Sequence, residues 1–236
     1  MVNNHLKGEN IAMTSQLIVA AGMMRSGSTW LYNATRLVLS SSPTIKENLS
    51  CGWSGDWKDK LIPEKQYTLI KIHDFNPGIV ERADVIVYSY RDVRDAMASA
   101  LRIFGNPPSL ESADYLIRMH EKWIEVADLV VPYDSILNEK NRVIEKLAQV
   151  CDIGSVNALA IVEEIDSLSY NSEGEKDDVH HKTNLFHPNH ITDGGHGYWM
   201  NYLDRDLVKQ IETKYQDWFE RNGYPVSSGV GNKNTQ

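Results

Sequence analysis

One feature limits the possible folds more than any other: a continuously apolar run, Gln16 to Met23 (QLIVAAGM), enters a glycine-bounded loop and leaves it as a helix. A short run with no polar alternation is the pattern of a strand buried on both faces, as in a parallel sheet covered by helices. The loop Gly22-Met23-Met24-Arg25-Ser26-Gly27 has the G-x-x-x-x-G spacing of a phosphate-binding loop. From Ser28 onward TWLYNATRLVLSS has helical spacing, with Leu31, Thr35 and Val38 on one face. The loop therefore ends at a helix N-terminus, where backbone N–H groups favour an anion. A nucleotide triphosphatase carries a lysine after the second glycine; Ser28 stands there, and the basic residue is Arg25, before Gly27.

The rest of the chain repeats the alternation of strand and helix. Tyr67 to His73, Val85 to Tyr90 and Leu129 to Tyr133 read as further buried strands, the last ending at a proline. Asp92 to Phe104, Ser109 to Asp128, Asn138 to Val150 and Ser155 to Leu168 carry apolar residues at helical intervals, and Asp204 caps a final helix to Arg221 that stops at Asn222-Gly223. The expected fold is a single α/β domain over 16–226, a mostly parallel central sheet flanked by helices, with an N-terminal extension 1–15 and a disordered tail 227–236. Tyr170 to Gly197 has no periodicity and reads as a long loop of functional or mobile character.

Composition bounds the partners. The chain has 236 residues, is 42% hydrophobic, and carries 24 basic against 32 acidic residues, a net charge of -8. That balance argues against nucleic acid or an anionic membrane, so a bound anion must be met by local positive charge. Cys51 and Cys151 lie far apart, with no metal-ligand spacing around either, and a reduced pair in the cytoplasm is expected. No run reaches membrane-span length, and Met1 to Gln16 lacks the order of a secretory signal.

Three motifs in order carry a resemblance. Arg25-Ser26-Gly27-Ser28-Thr29-Trp30 resembles the 5′-phosphosulfate loop of sulfotransferases that use 3′-phosphoadenosine 5′-phosphosulfate (PAPS) and release 3′-phosphoadenosine 5′-phosphate (PAP). Arg91 and Ser99, eight residues apart after a strand, resemble the family's 3′-phosphate motif without its proline. Lys71-Ile72-His73 at a strand end resembles its Lys-Thr-His. Two weaker matches are Val130 to Asp134, which places Tyr133 near adenine, and Gly194 to Leu203 (GGHGYWMNYL).

The resemblance implies a PAPS-dependent sulfotransferase needing no metal. It implies His73 as general base, with Lys71 and Arg25 at the leaving oxygen. Arg25, Ser26, Gly27, Ser28 and Thr29 would hold the 5′-phosphate, with Trp30 and Tyr133 at adenine and Arg91 and Ser99 at the 3′-phosphate. Thr192 and Asp193 replace the family's Arg-Lys pair in the late segment, leaving His190, His196 or Lys182, or else Arg91, Ser99 and Arg94 alone, to supply that charge. The chain is also similar to bacterial natural-product sulfotransferases, including those acting on saxitoxin-type guanidinium alkaloids. A cationic small-molecule acceptor would meet Trp53, Asp56, Trp57 and Asp74, since carboxylates and indole faces hold a guanidinium. The family contains monomers and homodimers. The alternatives are a P-loop nucleotide or small-molecule kinase, which predicts a lysine after Gly27, and a non-catalytic nucleotide-binding protein, which has no use for a base beside a cation.

Overall fold

The computed structural model describes residues 15–57, 66–188 and 194–227. Five strands form one sheet: β1 (Gln16–Gly22), β2 (Leu49–Trp53), β3 (Tyr67–Ile72), β4 (Val85–Tyr90) and β5 (Leu129–Pro132). Their order is β2-β3-β1-β4-β5, and every pairing is parallel. The apolar run of β1 lies at the centre because both its faces are covered. Leu17, Val19 and Ala21 face a layer containing Trp123, Ile211 and Phe219. Ile18 and Ala20 face the opposite layer, with Leu31, Val38, Ile144 and Leu147. Alternation along the strand persists, but water is on neither side, so no polar residue marks it.

The helices follow the expected pattern, with instructive exceptions. Helix α1 (Ser28–Ser40) buries Leu31, Thr35 and Val38 fully, and the Thr35 hydroxyl donates to the Leu31 carbonyl at 2.9 Å, which satisfies it inside the core. The Val93–Phe104 helix is capped by the Asp92 side chain and ends at Gly105 in the left-handed conformation. The Leu110–Ile124 helix begins at a capping box between Ser109 and Ser112.

The expected single terminal helix is two, Arg205–Lys214 and Gln216–Arg221, broken at Tyr215. The phenol of Tyr215 donates to Asp114 at 2.5 Å, a tether to the neighbouring helix that coincides with the break. Asp204 does cap the first of the two, accepting from Asp206 and Leu207. Tyr133, expected to end a strand, instead starts the short Tyr133–Asn138 helix, so β5 stops at Pro132. Strand β2 is new relative to the sequence reading. Among the described residues it is an edge strand paired with β3, mostly half-buried, and its Ser-Cys-Gly composition carries no strand signal.

Order 2-3-1-4-5 brings the C-terminal ends of β3, β1 and β4 side by side. Lys71 is in register with Ala20, and Gly22 with Ser89. Ligands in open α/β sheets bind beyond such ends, where loops from neighbouring strands diverge.

Candidate active site

The glycine loop is built by local constraint. Gly27 sits at φ 78°, a left-handed conformation, and a Cβ there would come within 2.9 Å of Ile136 Cδ1 and 3.2 Å of the Tyr133 ring. Both the turn and the tight packing therefore demand glycine. Arg25 also has positive φ, 68°, and unlike glycine it pays steric strain for that conformation. Ser26 is fully buried: its N–H donates to the Met23 carbonyl at 3.2 Å, and its hydroxyl lies 2.7 Å from that oxygen and 2.8 Å from the Ser89 hydroxyl. Ser26 is expected at the 5′-phosphate, but its side chain instead pins the loop to the end of β4. Ser28, Thr29 and Trp30 form the first turn of α1, which has no side-chain cap.

Lys71 ends up beside this loop. Its ammonium donates to the Thr29 hydroxyl at 2.8 Å and lies 5.8 Å from the centre of the Trp53 ring, its strand-register partner. Burial, with the nearby Arg25 guanidinium, lowers its pKa to about 7. Two residues on, just past β3, His73 places Nδ1 2.7 Å from the Gly22 carbonyl. A carbonyl only accepts, so Nδ1 carries the proton and Nε2 is left with its lone pair. Burial and then Lys71 bring its pKa down to about 3, so the imidazole is neutral across the physiological range. Trp53 packs 5.2 Å from the His73 ring and thereby touches both residues.

On the β4 side, Arg25 donates from Nε to the Ser99 hydroxyl at 3.1 Å and lies over the Phe104 ring. Arg91 is 4% exposed, lies 4.3 Å over the Tyr133 ring, donates to the Gly195 carbonyl at 2.5 Å and pairs with Asp95 at 3.8 Å. Tyr133 donates to the Gly194 carbonyl at 3.0 Å. Asp95 receives the Gly197 and Trp199 N–H groups, both at 3.0 Å, and so fixes the late segment against the Val93–Phe104 helix. Arg94 points away. It pairs with Asp92 and Glu212 and is stacked between Trp199 and Phe219, so it belongs to the core and is not available to a phosphate.

These elements enclose a cleft of about 1290 Å³, lined by Arg25, Trp30, Lys71, His73, Arg91 and Ser99 among others. Segment 169–188 closes one wall, held by Tyr32 donating to the Thr183 carbonyl and Asn33 to the Asn184 carbonyl. It brings Asp177, His180 and His187 to the cleft. Of the candidate acceptor residues, Trp53, Asp56 and Asp74 line it; Asp56 lies 3.5 Å from His180 Nε2, and Asp74 accepts from Tyr115. His190 lies outside the described residues, as does the side chain of Trp57. Lys182 pairs with Asp177, and His196 with Asp134 at 2.9 Å, so neither is presented to Arg91. Among the described residues no group of His, Cys, Asp and Glu could hold a metal ion. No helix of the described residues is long and apolar enough to cross a membrane.

The residues fit a nucleotide with two phosphate groups on observations of this structure. The Arg91 Nε and the Trp30 Nε1 are buried without a hydrogen-bond partner, and the Gly27 cradle has no room for a side chain. Sequence reading missed Arg102 and Phe104 in the cleft wall, because they look like ordinary residues of an amphipathic helix.

No family model and no curated protein sequence matches the chain. Solved structures do. The mouse sulfotransferase SULT7A1 complexed with PAP aligns over 89% of this chain and 85% of its own at 17% identity, with a TM-score of 0.57. A retinol dehydratase in complex with retinol and PAP aligns over 88% and 82% at 14% identity, with a TM-score of 0.54. A second structure of retinol dehydratase, with androsterone and inactive cofactor PAP, aligns over 93% and 83% at 16% identity and a TM-score of 0.52. The chain has the fold of these proteins, with one parallel five-stranded sheet between helices among the described residues.

Proposed function

We propose that this chain is a PAPS-dependent sulfotransferase acting on a small molecule. The observation that carries the reading is His73: its Nδ1–H is committed to the Gly22 carbonyl, 2.7 Å away, while Lys71 stands two residues before it at the Arg25 loop. A neutral imidazole with a fixed tautomer, next to two cations in one cleft, is the equipment for transfer between oxygens. The Ser28–Trp30 turn and Arg25 hold the 5′-phosphate, Trp30 and Tyr133 lie at the base, and Arg91 and Ser99 take the 3′-phosphate. PAPS supplies the sulfuryl group, whose bond to a phosphate oxygen breaks as its bond to the acceptor forms. His73 Nε2 accepts the acceptor's proton. Lys71 and Arg25 offset the charge that grows on the departing phosphate oxygen. The three structural neighbours were each solved with PAP, which supports this donor. A kinase reading has no support from a lysine after Gly27.

The acceptor reading is a cationic, guanidinium-bearing molecule of saxitoxin type, used in the cytoplasm. It rests on Asp56, Asp74 and the Trp53 face lining the cleft near His73. Titration calorimetry tests the donor half: the protein should bind PAP without metal, more tightly than ATP with magnesium, and Arg91→Ala should abolish the preference. Preference for ATP overturns the reading. Release of PAP from PAPS in the presence of guanidinium-bearing alcohols, but not neutral analogues, tests the acceptor half.

A further inference from the structure

Three consecutive residues past β3 are each held by one helix. The pairing of β3 ends at Ile72, opposite Ala21, so the His73 carbonyl lies beyond the ladder. The Trp123 indole donates its Nε1–H to that carbonyl at 3.0 Å. The Tyr115 phenol donates to the Asp74 carboxylate. Phe75 packs edge-on against Trp123 at 5.0 Å and carries the Lys122 ammonium over its ring at 5.6 Å. Tyr115, Lys122 and Trp123 stand two helical turns apart on one face of the Leu110–Ile124 helix.

We infer that Trp123 is a positioning residue for His73, holding from behind the sheet the backbone of the residue whose imidazole Gly22 holds from the cleft side. Trp123 itself is 0% exposed, lies in the core layer under β1 and does not line the cleft, so it acts only through His73. Its ring cannot turn away, being stacked 6.3 Å from Tyr88 and edged by Phe75. Filling this layer needs a large ring but no donor. Trp218 shows as much: it belongs to the same layer, is 2% exposed, and its Nε1 is buried without a hydrogen-bond partner. The bond from Trp123 is therefore a feature beyond packing, and tryptophan supplies it because its N–H is part of the apolar ring. His73 is fixed on both sides of its Cα, at Nδ1 by the Gly22 carbonyl at 2.7 Å and at its own carbonyl by the indole. With the first bond alone, rotation about the backbone torsions of residue 73 carries the ring with it. With both, Nε2 keeps one direction, and a misplacement of about 1 Å in such a group costs on the order of 100-fold in rate.

The inference rests on the reading of His73 as the base, and its first readout needs no acceptor. In proton–nitrogen NMR spectra of the full chain with PAP bound, His73, identified by its absence in His73→Asn, should show one neutral tautomer with the proton on Nδ1. Two variants remove the donor: Trp123→Phe, and benzothienylalanine at position 123, which keeps the shape of the ring without the N–H. Each should lose the single signature to a mixture of tautomers, while PAP affinity within about twofold of wild type shows an intact site. In the wild type the Trp123 indole proton should exchange more slowly and shift less with temperature than that of Trp218, which is buried without a bond. With guanidinopropanol as acceptor, kcat should fall about 3- to 10-fold in both variants at unchanged KM, the weight of one hydrogen bond. A single Nδ1–H tautomer that persists in both variants overturns the positioning role and leaves the base assignment standing. A Trp123 proton that behaves like that of Trp218 overturns the bond itself, even where Trp123→Phe does not fold. A wild type with its proton on Nε2, or one that binds no PAP, overturns the reading of the site along with the inference.

Discussion

The imidazole of His73 donates its Nδ1–H to the carbonyl of Gly22 at 2.7 Å, joining the end of β3 to the last residue of β1. A side chain at the start of one loop thus has its tautomer set by the backbone at the start of another. The bond aims Nε2 outward from the sheet, towards the cleft that both strands open into.

Replacing that group separates binding from chemistry. His73→Asn should lower kcat by about 10²- to 10⁴-fold, the usual contribution of a positioned general base, while leaving PAP affinity close to wild type. Steady-state rates paired with calorimetry measure both quantities. An equal loss in PAP affinity would mean that His73 shapes the pocket and does not act on the acceptor.

The pH profile should be set by Lys71 on its alkaline side. In the free protein the ammonium titrates at about 7, so kcat/KM should fall as pH rises through that value, because the cation at the leaving oxygen is lost. His73, at about 3, should give no acid limb between pH 5 and 7. A binding anion favours the charged ammonium, so the alkaline limb in kcat should lie higher than in kcat/KM. Lys71→Arg should remove the limb near 7.

Stability follows the same groups with a defined sign. His73 is lowered from 6.5 to about 3 on folding, so the unfolded chain takes up its proton first and stability declines as pH falls from 6.5 towards 3. Lys71 is lowered from 10.5 to about 7, so its burial costs stability in full below 7, and that cost lessens as pH rises from 7 to 10.5. Urea titrations of His73→Asn and Lys71→Met across pH 4 to 10 should flatten each dependence in its own window.

Trp53 should govern how dry the catalytic pair is. It lies against His73 and within 5.8 Å of the Lys71 ammonium, and truncation admits water to both. In Trp53→Ala the alkaline limb of kcat/KM should move from about 7 towards the ordinary lysine value of 10.5. A limb that stays in place would assign the shift to burial by the rest of the site and to Arg25.

Arg94→Ala should be a stability mutation. The guanidinium is 1% exposed, paired with Asp92 and Glu212, and its loss strands two buried carboxylates. Breaking such a network costs about 3–5 kcal/mol, or a fall in Tm on the order of 10 °C at this chain length. At a temperature where the variant is folded, PAP affinity should be retained, because Arg94 faces away from the cleft.

Much of this was legible in residues alone, for a physical reason. A doubly buried strand, a glycine loop and a helix start are each local, and their signals lie in consecutive residues such as Gln16 to Val38. Lys71, His73 and Arg91 sit at strand ends and Ser99 lies midway along the helix that follows Arg91, so their order along the chain already pointed to one edge of a parallel sheet. What depended on packing was not legible. The Ser26 hydroxyl turned inward, since only the fold could bring Ser89 within 2.8 Å of it. Arg94 and Arg102 are both helical arginines, and which one faces the cleft was decided by Glu212 and Phe219 on one side and by Tyr198 and Tyr202 on the other. The composition of β2 conceals a strand that exists through its pairing with β3, and it is that pairing that puts Trp53 over Lys71. Local sequence determined the chemical groups and the elements that carry them. Tertiary structure alone decided which of those groups lost their water, because desolvation depends on neighbours that are distant along the chain.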